Sequence, residues 1–107
     1  MGAITYDGAA TQFDDRLLAH LQIVIVQRLR QNRRFLMSWL NALEVGDGRT
    51  SIWVHEHAGI RFTFDGSRTP TIDQHWLEVL AETADGPRGL IVMNEHGTAI
   101  RSTGGAR

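Results

Sequence analysis

Between residues 13 and 34 apolar positions recur at helical spacing. Turning each residue by about 100° puts Leu17, Leu18, Leu21, Val24, Ile25 and Leu29 on one broad stripe. Ala19, Ile23 and Val26 form a narrower strip on nearly the opposite side, edged by His20, Gln27 and Arg30. A helix with two apolar faces is normally covered on both. The short run Ile23-Val24-Ile25-Val26 also suits a strand, but the ends of the segment favour a helix. Asp14 is a cap, Asp14 and Asp15 complement the positive pole, and Phe13 and Leu18 take the two positions of a hydrophobic staple. Arg28, Arg30, Arg33 and Arg34 complement the negative pole. Arg28 falls inside the main apolar stripe, where a carboxylate partner is expected.

The remaining pattern is shorter in period. Residues 3–6 form a strand ended by Asp7-Gly8. Residues 34–40 form a second, with Phe35, Met37 and Trp39 on one side. Gly46-Asp47-Gly48 signals a hairpin leading to a third strand at 51–55. After a turn at 57–59, Ile60-Arg61-Phe62-Thr63-Phe64 alternates as a half-buried fourth strand. Residues 65–70 (DGSRTP) make a loop. Thr71 and Gln74 then fit a capping box opening a second helix, with Ile72, Trp76, Leu77, Val79, Leu80 and Ala84 on one face. Gly86 and Pro87 stop it. Residues 89–93 (GLIVM) read as a buried last strand. The expected fold is α+β: a single domain over residues 1–95, ordered β-α-β-β-β-α-β, its mainly antiparallel sheet packed by a long N-terminal helix and a shorter second helix. Residues 96–107 read as a polar, flexible tail.

Composition narrows the chemistry. The 107 residues suffice for one core. There is no cysteine, so disulfides and thiolate metal sites are excluded. No basic-then-apolar leader and no spanning apolar run is present, so a cytoplasmic location without a membrane partner is expected. All 11 basic residues are arginine and lysine is absent. Lysine-nucleophile, Schiff-base and Walker-type phosphate chemistry are therefore excluded. With a net charge of −1, any basic surface must be a local patch.

Certain residues carry a family likeness. FDDR at 13–16, LAHLQ at 18–22, Ser38-Trp39, Gly48-Arg49 and Ser51-Ile52-Trp53 come first. The run Phe62-x-Phe64-x-Gly66-x-Arg68-x-Pro70, then Trp76-x-Glu78-x-Leu80 and Gly89-Leu90, follow. Over residues 1–95 the chain resembles a family of short proteins of unknown function from high-GC Gram-positive bacteria. Residues 55–59 and those after Glu95 depart from its pattern. The resemblance supplies no active site. Members often bear the label "ATP-dependent DNA ligase", but such ligases adenylate a lysine in a much larger domain, and this chain has none.

Three groups remain as candidates. His55 and His57, two apart on a strand, could share a metal ion if a third ligand came from His20, His75 or His96. Exposed histidines at a turn are the plainer account, and His20 and His75 read as boundary or surface residues. Arg30, Arg33, Arg34 and Arg49 could hold nucleic-acid phosphates, with Trp53 extending the surface. Against this, arginines at a helix end need only balance its dipole. Ala19, Ile23 and Val26 could form a self-association face. Asp14 and Asp15 read as capping groups, no catalytic motif stands out, and no cofactor is expected. The resulting expectation is a non-enzymatic association module, a homodimer or higher homo-oligomer with possible DNA or RNA binding. A small metal-binding protein or enzyme centred on His55 and His57 is the alternative.

Overall fold

A computed structural model describes residues 2–44 and 46–105. It begins with a hairpin of β1 (Gly2–Tyr6) and β2 (Ala9–Phe13), paired from Gly2↔Phe13 to Tyr6↔Ala9. Asp7 and Gly8 join them with φ of 47° and 89°, the left-handed pair that matches strand twist in a two-residue turn. Hydrophobic patterning marks only the first of these strands. Ala9-Ala10-Thr11-Gln12 is too weakly apolar to mark the second, and the long-range ladder supplies the difference.

Helix α1 (Asp15–Arg30) follows. Asp14 caps it, its carboxylate accepting from the Leu17 amide at 3.0 Å. At the far end Asn32 is left-handed (φ 58°), the Asn32 amide donates to Leu29 O, and the Arg33 amide donates to Arg28 O. That is a Schellman stop built on asparagine, which accepts the left-handed backbone at little cost. Leu17, Leu18, Leu21, Val24 and Ile25 are buried, as the stripe requires. Truncating any one of these large side chains to alanine would cost roughly 2–5 kcal/mol.

β3 (Phe35–Leu40) and β4 (Arg49–Val54) pair antiparallel, and α2 (Gln74–Ala84) leads into β6 (Leu90–Ile91), parallel to β3. Phe35, Met37 and Trp39 face the core together. The α+β order is as expected, but the strands divide into two sheets. β5 (Ile60–Thr63) pairs with β1 rather than with β4, giving the order β5-β1-β2-β7, with β7 at Gly104–Gly105, beside β4-β3-β6. The cap of α2 is Asp73, accepting from the Trp76 amide at 3.2 Å, and not Thr71. Thr71 is occupied otherwise, its carbonyl taking the Arg16 Nε–H at 3.0 Å.

Of the segment 96–107 expected as a flexible tail, residues 106 and 107 lie outside the described residues, and residues 100–105 are hydrogen-bonded into this frame. The Ile100 amide donates to Val92 O, and the Ser102 amide to Leu40 O in β3. The Thr103 amide donates to Gln12 O, and β7 (Gly104–Gly105) pairs with β2. The segment thereby links both sheets. Ser102 is buried because its Oγ accepts the Ala42 amide at 3.1 Å.

Among the described glycines Gly89 has the least room for a side chain. Its φ is +72°, and a Cβ there would sit 2.2 Å from Leu36 O in the backbone of β3. Gly89→Ala should therefore destabilise the domain by at least about 2 kcal/mol. A denaturation midpoint unchanged from that of the parent protein would contradict this packing.

Candidate functional site

A cluster of polar contacts lies where the first two turns of α1 meet residues 64–73. Asp15 accepts from the Asp65 and Gly66 amides at 3.1 and 2.9 Å, which holds its carboxyl below the usual range. Asp15 is thus a loop anchor rather than a cap. Arg16 donates to Thr71 O and to Glu95 Oε2 (2.9 Å), and its guanidinium lies 5.4 Å from the Trp76 ring centroid. His20 is fully buried rather than at the boundary. It stacks on Trp76 at 4.2 Å between centroids, with Nδ1 2.6 Å from Arg16 O and Nε2 2.9 Å from the Asp73 amide. A carbonyl can only accept and an amide N–H can only donate, so the ring is the neutral Nδ1–H tautomer. These groups are consumed in positioning backbone.

The arginines divide. Arg28 donates to Asp85 through both terminal nitrogens and to Ala81 O, joining the two helices. Arg33 shares Asp85 at 3.1 Å. Arg34 grips Glu56 with Nη2 at 2.8 Å and Nε at 3.3 Å. That pairing, reinforced by a backbone amide, lowers the Glu56 carboxyl to about 2. Arg30 is exposed and unpaired among the described residues. Arg49 belongs elsewhere: it faces Leu40 at one end of the β3–β4 ladder, whereas Arg34 precedes the other. Five strand steps of about 3.3 Å put roughly 17 Å between those ends. The four arginines named from sequence do not form one patch.

His55 and His57 stand at the turn after β4 with ring centroids 6.2 Å apart. His55 Nδ1 accepts the His57 amide, and Glu56 between them belongs to Arg34. Among the described residues no three His, Cys, Asp or Glu side chains converge.

The outward strip of α1 is partly open. Ala19 is buried beneath the chain's own loop, lining with Gln22, Phe64 and residues 66–70 a cleft of about 150 Å³. Ile23 is 39% exposed and lies with Val26 in a shallow groove of about 470 Å³, bounded by Gln22, Gln27 and Arg30. Helical projection gave the apolar pair with Gln27 and Arg30 at its edge, but not Gln22. The place of both glutamines beside the apolar positions was legible; their freedom from other partners was not.

Two outcomes follow from these contacts. Nitrogen NMR should show His20 locked as the Nδ1–H tautomer, and His20→Leu should lose roughly 1–3 kcal/mol by orphaning the Asp73 amide. A freely exchanging tautomer pair would contradict the latch. Acid should also weaken the fold. The carboxyls of Asp15, Glu56 and Asp85 are all depressed. Their stabilisation is present above the unfolded-state value and lost as pH falls through the folded one. For Glu56 that window runs from 4.5 to about 2. Denaturation midpoints should fall across it, and Glu56→Gln should flatten the profile.

No curated protein and no solved structure matches this chain. The profile of a domain of unknown function, DUF7882, matches residues 1–95, and the chain belongs to that family.

Proposed function

We propose that this protein is a non-enzymatic cytoplasmic association module that pairs with a second copy of itself through the exposed face of α1. The carrying observation is the groove around Ile23 and Val26, the part of an otherwise buried helix that its own chain leaves open. The strip is self-complementary in an antiparallel crossing. A twofold axis between Val24 and Ile25 sets Ile23 against the partner copy's Val26 and Gln22 against its Gln27, so apolar meets apolar and amide meets amide. It also keeps the two Arg30 side chains about 17 Å apart along the helix direction, at 1.5 Å per residue. A parallel crossing would set them side by side. The non-enzymatic part of the reading is supported by the polar groups at the start of α1, which are spent on backbone amides and carbonyls.

The nucleic-acid reading has less support. Arg33 and Arg34 already hold carboxylates, leaving Arg30 and the distant Arg49. No contact favours metal chemistry at His55 and His57.

Two central apolar residues make a small interface, so the dimer should be weak, roughly micromolar or looser. Sedimentation should show a concentration-dependent dimer that Ile23→Glu with Val26→Glu reduces to monomer without altering the circular dichroism. A wild-type chain that stays monomeric at several hundred micromolar would sink this reading, as would a double variant that still dimerises.

A further inference from the structure

The outer face of the β4-β3-β6 sheet carries a second opening, separate from the α1 groove. Alternation turns Phe35, Met37 and Trp39 to the core and leaves Ser38 and Leu40 on the other side. Over these two residues lies a cleft of about 220 Å³, walled by Ile91 and Ala99 and flanked by Arg49 and Arg88. Among the described residues neither arginine has a carboxylate partner, in contrast to Arg16, Arg28, Arg33, Arg34 and Arg101. Ser38 is 7% exposed, and its Oγ has no hydrogen-bond partner among the described residues. No fully enclosed side-chain polar atom there is left unpaired, so the Ser38 hydroxyl opens into the cleft. A nearly buried hydroxyl without a partner, in a cleft lined by two arginines free of carboxylates and by apolar walls, is an arrangement that a ligand completes.

We infer that this cleft binds a small organic anion whose carboxylate or phosphate head lies between Arg49 and Arg88 and whose apolar body rests on Leu40, Ile91 and Ala99. Guanidinium matches either head with paired hydrogen bonds, and Ser38 supplies a further donor. The volume limits the body to about one aromatic ring, the size of guest that cavities of roughly 150 Å³ accept. The walls predict that an aryl anion binds more tightly than its head group alone.

Phenyl phosphate, benzoate, inorganic phosphate and a ten-residue oligothymidylate serve as probes in amide NMR titrations of the full chain. Phenyl phosphate or benzoate, whichever head the arginines prefer, should shift the amides of Ser38, Ile91 and Ala99. Arg49→Gln and Arg88→Gln should each weaken that binding at least about tenfold, the loss expected for one charge-assisted contact. Both positions are exposed, so the variants should fold, and Arg61→Gln, an exposed position in β5 of the other sheet, should leave binding unchanged. Inorganic phosphate binding as tightly as both aryl anions would overturn the inference. So would aryl-anion shifts that persist in both variants, or binding of the oligothymidylate with neither aryl anion.

Discussion

The structure depends on the first two turns of α1 holding a long loop in place. Residues 64–73 contain glycine, serine, threonine and proline and have no ladder of their own. Their backbone groups must therefore find partners elsewhere. Asp15 takes the amides at 65 and 66, Arg16 the carbonyl at 71, and His20 the amide at 73. The last contact fixes Asp73 in an extended conformation (φ −100°, ψ 110°), where it caps α2. One helix end thus sets the start of the other helix and brings Trp76 onto His20.

The same geometry determines what stays available for binding. The loop folds back over Ala19 and buries it, which shortens the outward strip of α1 to Ile23 and Val26. At the far end of the helix, Asp85 draws in Arg28 and Arg33, and Glu56 draws in Arg34. A cluster that is dense in sequence is therefore largely neutralised in space. Of the arginines without a carboxylate partner among the described residues, Arg30 lies on the open helix face and Arg49 with Arg88 lines the sheet cleft.

What the sequence determined alone was local. The two-faced periodicity, the aspartate cap and the arginine-rich end sufficed for α1, because a helix needs only its own backbone and a stripe to bury. The alternation in residues 35–40 and 60–63 and the apolar run at 90–93 located three strands and much of the core. Absence of lysine and cysteine removed whole classes of chemistry without any fold. Tertiary structure decided the rest, because it depended on partners distant in sequence. β2 exists through pairing with β1 and β7, not through its own alanines and glutamine. The separation of β4 from β5, and the return of residues 99–105 across both sheets, are choices among ladders that strand propensity does not rank. His20 lies at the edge of a helical projection, and only the amide of Asp73 and the ring of Trp76 explain its burial. Charge is similar: an arginine's position can be read from sequence, but its freedom depends on which carboxylate the fold brings within reach.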